Sequence, residues 1–275
     1  MAGILSVVGT PIGNLEDASP RVRRTLGEAD VILCEDTRVT ARLLSAFDLH
    51  VPLVRCDENV IASRVASALE RVEAGERVAF VSDAGMPGVS DPGQRLVDAA
   101  LDAGLPVEVV PGPSAVTCAV VASGMACEHF FFEGFLPRRH SAQVARLGEL
   151  AQVPGAIVCY ESPHRVAATL ASVAEVMPGR RVALVRELTK LHEEVLRGPA
   201  PQVARQVAER GDLKGEVVLV VGPPAADEGR IDPRGPATQA RAQELLDTGM
   251  SPSRAAKALA AELGVSKNAV YDLFH

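Results

Sequence analysis

The chain has 275 residues, of which 47% are hydrophobic and 23% charged, and it carries a formal net charge of −7. That length can bury two modest cores, and that balance is ordinary for a globular protein, so intrinsic disorder is not expected. The negative charge argues against coating nucleic acid by charge alone, since such binding rests on neutralising phosphates, but it does not exclude a local basic patch.

No apolar run approaches the roughly 20 residues that span a bilayer. The start Met1-Ala2-Gly3-Ile4 lacks the basic, apolar and small-residue order of a signal peptide, so a cytoplasmic protein is expected. Cys34, Cys56, Cys118, Cys127 and Cys159 are scattered among apolar neighbours, as reduced, buried thiols would be. His50, His129, His140, His164, His192 and His275 are dispersed too, and no metal site is expected.

From residue 1 to about 120, short β-branched runs (Ile4–Val8, Val31–Cys34, Val78–Val81, Val107–Val110) alternate with amphipathic segments such as Ile61–Val72 and Gln94–Ala103. This predicts a first α/β domain, 1–120, with a largely parallel sheet. Ser19-Pro20 and Asp91-Pro92 read as helix starts, each an N-cap residue before proline. A second α/β domain, 121–222, is expected from Phe130–Phe135, Ala156–Tyr160, Arg181–Arg186, Glu193–Arg197 and Glu216–Val221, whose close spacing suggests a mixed sheet. Gly222 to Gly229 is rich in breakers and opens a linker, 223–235. Within 236–275, Ser251-Pro252 opens a helix to about Glu262, Leu263-Gly264-Val265 turns, and Ser266 caps a last helix to Phe274. That layout is helix-turn-helix-like, and a two-helix lid fits it equally well.

Three of the apolar runs end in Gly/Pro loops: Gly9 to Leu15, Val81 to Gly93, and Pro111 to Ala115. The second is the richest, with three glycines, two prolines and two aspartates directly after Val78–Val81. Glycine permits close backbone approach and proline limits loop entropy, so these loops suit a ligand held largely by main-chain groups. In an open α/β sheet that ligand lies at the carboxyl ends of the strands.

Five ordered motifs carry a more specific resemblance. They are Gly9-Thr10-Pro11-Ile12-Gly13-Asn14-Leu15, Glu35-Asp36-Thr37-Arg38, Asp83-Ala84-Gly85-Met86-Pro87 with Ser90-Asp91-Pro92-Gly93, Pro111-Gly112-Pro113-Ser114, and Tyr160-Glu161-Ser162-Pro163-His164-Arg165. Together they resemble the ribosomal RNA small subunit methyltransferase I group of the tetrapyrrole-methylase superfamily. The resemblance implies two α/β domains with S-adenosylmethionine in the cleft between them, a homodimer, and methylation of a cytidine ribose 2′-hydroxyl in 16S rRNA near the decoding centre. It places Pro11, Asp83, Ala84, Gly85, Met86, Ser114 and Ala115 against the cofactor. Asp83 could instead brace its loop through an Asx-turn. The porphyrin-precursor enzymes usually carry Gly-Asp-Pro where this chain has Ser82-Asp83-Ala84-Gly85.

Methyl transfer from a sulfonium is an in-line displacement, so catalysis needs positioning, helped by a base or cation that favours alkoxide character in the hydroxyl. Glu187 and Lys190, in Arg186-Glu187-Leu188-Thr189-Lys190, are the catalytic candidates. Their bland alternative is an ion pair on a solvated rim. Arg38, Tyr160, Arg165, Lys257 and Lys267 are candidates for phosphate or base contact, with Arg42, Arg138 and Arg139 beside them. Glu58 and Asn59 could read a sugar or base edge, and Asn59 could equally cap the helix near Ile61. Two other readings stand beside the rRNA enzyme: a methylase of a tetrapyrrole-like small molecule, and a non-catalytic nucleic-acid-binding protein led by the terminal helices.

Overall fold

The computed structural model describes residues 3–125, 128–211, 213–224, 235–263 and 266–274. The chain divides into a unit Met1–Pro223 and a unit Pro224–His275. The stretch 225–234, where most of the linker is expected, lies outside the described residues.

The larger unit begins with β1 (Ile4–Val8), α1 (Pro20–Gly27), β2 (Val31–Cys34), α2 (Thr37–Ala46), β3 (Leu53–Arg55), α3 (Ile61–Glu73), β4 (Arg77–Val81), α4 (Gln94–Asp102), β5 (Val107–Val110) and α5 (Ala115–Ser123). Its strands form a five-stranded sheet in the order β3-β2-β4-β1-β5, and every pairing is parallel. β3, which the sequence reading left out, is a short edge strand of only Leu53–Arg55. Both faces are covered, so the strands read as continuous apolar runs. Val78 and Phe80 pack with Ile61 and Leu96 on one side, whereas Ala79 and Val81 pack with Val22, Leu26 and Leu44 on the other.

α1 begins as expected, with Ser19 Oγ accepting the Val22 N–H at 3.2 Å and proline at the first helical position. Two other starts are corrected. Asp91-Pro92 does not open a helix, because α4 starts at Gln94 behind Gly93, which holds φ 132°. Ahead of α3 the N–H groups of Asn59 and Val60 are met by Asp57 Oδ1, at 3.0 and 3.2 Å, so Asp57 and not Asn59 orders that entry.

The chain continues through β6 (Phe130–Phe135), α6 (His140–Leu150), β7 (Ala156–Glu161), α7 (Val166–Val176), β8 (Arg181–Arg186), β9 (Glu194–Pro199), α8 (Ala200–Glu209) and β10 (Val217–Val221). These strands form a second five-stranded sheet, β6-β7-β10-β8-β9, parallel only between β6 and β7. One face packs on α6, α7 and α8 through Leu147, Leu170, Val203 and Val207. The other receives α5, whose Val116, Ala119 and Val120 lie against Val158, Val185 and Val220. Burying each such valine contributes about 1.5–3 kcal/mol and holds this face of α5 on the sheet, while Val121 on another side stays exposed. α5 therefore ties the loop after β5 to the second sheet.

The smaller unit holds α9 (Pro236–Asp247), α10 (Pro252–Leu263) and α11 (Lys267–Val270), then a short 3-10 turn over Tyr271–Phe274. Leu245, Ala256, Leu259, Val270 and Phe274 form its own core. Gly264 and Val265 of the expected turn, and His275, lie outside the described residues.

Candidate active site

In the first sheet β1 lies between β4 and β5, so the chain reverses its direction of winding at the β1/β4 pair. Loops leaving the carboxyl ends there diverge and open a crevice. The loops after β1 and β4 are joined by an isolated antiparallel bridge: the Thr10 N–H donates to Gly85 O at 2.9 Å and the Gly85 N–H returns to Thr10 O at 3.0 Å. The bridged loops act as a partition. On one side is a cavity of about 380 Å³ lined by Ile12, Ala84, Gly85, Met86, Asp91, Ser114 and Ala115 and, from the second sheet, by Phe135, Tyr160 to Pro163, Leu188 and Gly215 to Val218. On the other is a cavity of about 260 Å³ lined by Thr10, Pro11, Gly13, Val39, Thr40, Arg42, Leu43, Ser82 and Asp83.

The larger cavity falls within the volume range of small-molecule sites and is mostly apolar, with a few convergent polar groups. At its floor α5 begins at Ala115, and the Ser114 side chain makes no cap hydrogen bond. A helix N-terminus with free donors and an unengaged hydroxyl suits a carboxylate. Met86 is fixed by the Gly112 N–H, 3.2 Å from its Sδ. Five of the seven residues expected at the cofactor, Ala84, Gly85, Met86, Ser114 and Ala115, line this cavity. Pro11 and Asp83 face the smaller one.

Carboxylates gather where the loops leave β2 and β4. Asp83 Oδ1 accepts the Asp36 N–H at 3.0 Å, so the side chain braces the β4 loop to the end of β2 rather than to itself. Burial pushes the Glu35, Asp83 and Asp91 carboxyls up from their ordinary range; Glu35 and Asp91 are raised further by the Asp83 charge, and Asp83 by that of Asp36. Burial, together with the charges of Asp91 and Glu216, pushes the Tyr160 phenol up to about 12. Asp91 and Glu216 were missed by sequence reasoning. Asp91 was masked by its resemblance to a helix cap, and Glu216 by its place at the start of an apolar strand.

Glu187 and Lys190 are adjacent in space. Lys190 Nζ lies 2.9 Å from both Glu187 Oε1 and Glu216 Oε2, and Glu187 Oε1 also accepts the Glu216 N–H at 2.9 Å. That backbone bond, then the one from Lys190, holds the Glu187 carboxyl below the usual range. Burial alone would lower the Lys190 ammonium, but bonds to Glu187 and Glu216 raise it. Neither residue lines the larger cavity, although their neighbours Leu188 and Glu216 do. Glu187 and Thr189 both hold positive φ, 53° and 64°, which this brace stabilises.

The candidates for RNA contact are spread out. Arg38 is exposed and hydrogen-bonded to Asp36 at 3.0 and 2.6 Å. Glu58 and Asn59 are exposed in the turn before α3. Tyr160 faces the larger cavity. Arg165 is engaged inside the fold: its Nη2 donates to Leu136 O at 3.0 Å and pairs at 3.4 Å with Glu161, whose side chain has 0% exposure. Lys257 is exposed in the smaller unit, and Lys267 there lies 2.9 Å from Ser253 Oγ and 5.5 Å from the Tyr271 ring centroid.

The profile of tetrapyrrole (corrin/porphyrin) methylases matches residues 5–204. A protein of Xylella fastidiosa named ribosomal RNA small subunit methyltransferase I is 42% identical over 274 residues, 98% of each chain. The chain belongs to this methyltransferase I family of the tetrapyrrole methylases. A Mycobacterium tuberculosis protein of the same name is 46% identical over 80% of this chain and 78% of its own. The relative of that name from Thermotoga maritima is 43% identical over 219 residues, 80% of this chain and 98% of its own. Among solved structures, the methyltransferase CobJ superposes with a TM-score of 0.61 at 25% identity, over 80% of this chain and 94% of that one. Uroporphyrin-III C-methyltransferase from Thermus thermophilus complexed with S-adenosyl homocysteine has the same fold, with TM-score 0.56 at 20% identity over 80% and 96%. Membership makes the chain a methyltransferase, with S-adenosylmethionine as donor.

Proposed function

We propose that the protein methylates the ribose 2′-hydroxyl of a decoding-region cytidine in 16S rRNA, working in the cytoplasm as a homodimer on the RNA or on the assembled small subunit. The observation that carries this reading is the 42% identity with a relative named as a small-subunit rRNA methyltransferase over 98% of both chains. The tetrapyrrole alternative rests on the superfamily profile and on solved structures at 17–25% identity, well below that 42%. The cytidine ribose as acceptor is what the resemblance carried by the five motifs implies.

The larger cavity fits the donor: an apolar lining takes an adenosine, and the start of α5 with Ser114 takes the amino-acid carboxylate. Ala84, Gly85, Met86, Ser114 and Ala115 hold it, while Pro11 and Asp83 shape the loops from the far side of the partition. When bound, the group supplies an electrophilic methyl whose sulfur accepts the electron pair of the breaking bond. The protein's share is to hold an acceptor oxygen in line with that bond, exclude water, and offer an oxygen for the hydroxyl proton.

Asp91 is the carboxylate best suited to that last task, since it lines the cavity and burial leaves it more basic than an ordinary aspartate. Glu187 and Lys190 act by fixing the Arg186–Lys190 turn under Leu188. In the larger unit Arg38, Glu58, Asn59 and Tyr160 are the RNA-facing residues; Lys257 and Lys267 are separate RNA candidates of the smaller unit.

The test is incubation with labelled S-adenosylmethionine and small subunits from cells lacking the protein, followed by nucleoside mass spectrometry. Label on a cytidine ribose is the expected result. Label on a base, or none despite cofactor binding, overturns the acceptor.

A further inference from the structure

β6 is an edge strand with a fault in its register, and the fault has a consequence at the cavity. Phe132 pairs with Val158 and Phe135 with Tyr160, two residues further on, although Phe132 and Phe135 are three apart in sequence. The extra residue at Glu133 is taken up at Gly134, whose φ of 76° suits glycine. In an unbroken strand Phe132 and Phe135 would point to opposite faces. The shift brings both to Tyr160, with ring centroids 5.0 Å and 5.6 Å away. Glu133 is meanwhile paired with Arg146 of α6, at 2.7 Å.

Phe132 is partly buried behind Tyr160, but Phe135 is 57% exposed while lining the larger cavity. A bulge that turns a large apolar ring outward at a cavity mouth does not serve the core. The chain beyond is anchored by buried Leu136 and by Arg165, which takes the carbonyl oxygens of Leu136 and Pro137 at 3.0 and 3.4 Å. Arg138 and Arg139 follow, both exposed, and among the described residues neither side chain has an ion pair or hydrogen bond. An exposed ring at the cavity, followed three and four residues on by two exposed guanidinium groups, in a chain of net charge −7, is complementary to an unpaired nucleotide: the ring to a base, the cations to its flanking phosphates.

We propose that Phe135, Arg138 and Arg139 form a stacking platform for an unpaired base of the substrate RNA at the cavity mouth, positioning the strand that carries the acceptor nucleotide. The platform rests on the RNA reading above and adds the residues that would grip the strand. Phe135 supplies a sequence-tolerant face, so it positions the strand without choosing the base.

The full-length protein is titrated into a decoding-region RNA hairpin carrying 2-aminopurine beside the acceptor, and S-adenosylhomocysteine binding is measured separately by calorimetry. Phe135→Ala is expected to weaken RNA binding roughly tenfold and abolish the fluorescence change, Phe135→Trp to restore both, with S-adenosylhomocysteine affinity unaltered in each. Arg138→Ala/Arg139→Ala is expected to weaken binding and to lower the salt dependence by about two ions. Unchanged RNA affinity in Phe135→Ala overturns the platform. Equal loss of S-adenosylhomocysteine binding also overturns it, by making Phe135 part of the cofactor's wall. Should the wild type quench the RNA yet leave small subunits unmethylated, the acceptor assignment falls and the titration still decides the platform.

Discussion

Thr10 and Gly85 each donate a backbone N–H to the other's carbonyl, at 2.9 and 3.0 Å, and so lock the loop after β1 to the loop after β4. The lock needs Gly85 at φ 77°, a conformation that residues with a Cβ rarely adopt, although a Cβ there would meet Ile12 Cγ2 at an ordinary 3.4 Å. Gly85→Ala is expected to strain the partition, weakening S-adenosylhomocysteine binding roughly tenfold for a stability loss of about 1–2 kcal/mol. Calorimetry and denaturant unfolding measure the two separately. A loss of stability without loss of affinity would mean that the partition does not shape the cavity.

Arg165 is expected to act in stability rather than in RNA contact. Glu161 is buried with no exposed side-chain surface and is satisfied by Thr169 Oγ1 at 2.6 Å, the Ser162 N–H at 2.8 Å and Arg165 at 3.4 Å. Removing the cation strands a buried carboxylate, so Arg165→Ala should cost about 3 kcal/mol. A variant of wild-type stability with weakened RNA binding would restore the sequence-based assignment.

Burial raises the Asp91 carboxyl, so its charge opposes folding above the raised folded-state value, and that cost disappears as pH falls below the unfolded value. Asp91→Asn should therefore melt higher than the wild type at about pH 8, with the gap closing towards about pH 4. Methyl transfer should fall at least tenfold in the same variant if Asp91 accepts the hydroxyl proton. Melting curves and single-turnover rates check the two parts independently.

Glu187 behaves in the opposite sense. Its carboxyl is held low by the Glu216 N–H and then by Lys190, so it stabilises the fold above the unfolded value and loses that effect as pH falls through the folded one. Glu187→Gln should be less stable than the wild type at neutral pH and indistinguishable from it in acid. Lys190→Ala, which leaves Glu187 and Glu216 facing each other, should lower melting temperature and cofactor affinity together through Leu188. A fall in kcat with both unchanged would make Lys190 a catalytic group.

The unit Pro224–His275 has its own core, and the Thermotoga maritima relative is matched over 98% of its length by 80% of this chain. About a fifth of the chain has no counterpart there. A chain ending at Pro223 is therefore expected to stay folded and to bind S-adenosylhomocysteine within about twofold of the full chain. RNA affinity should fall if exposed Lys257 and Lys267 contribute. Loss of cooperative unfolding in the truncated chain would show that the larger unit depends on the smaller.

The sequence by itself determined the strands whose apolar runs are long and bounded by breakers, among them Ile4–Val8, Val31–Cys34 and Phe130–Phe135, and the start of α1 at Ser19-Pro20. Ile4–Val8 and Val31–Cys34 are legible because both faces of their sheet are covered, Phe130–Phe135 because aromatic residues favour strands, and the helix start because its cap is local. It also marked the three loops at the carboxyl ends, because glycine and proline there are needed by the backbone itself. Tertiary structure alone decided the rest. That Asp91 lines the cavity instead of capping α4, that Arg165 is held by Glu161, and that Lys190 bridges Glu187 and Glu216 all depend on partners brought together by strand order. The Phe135 ring is the plainest instance: a one-residue shift against β7 sets its face, and no periodicity within Phe130–Phe135 encodes where the neighbouring strand will slip.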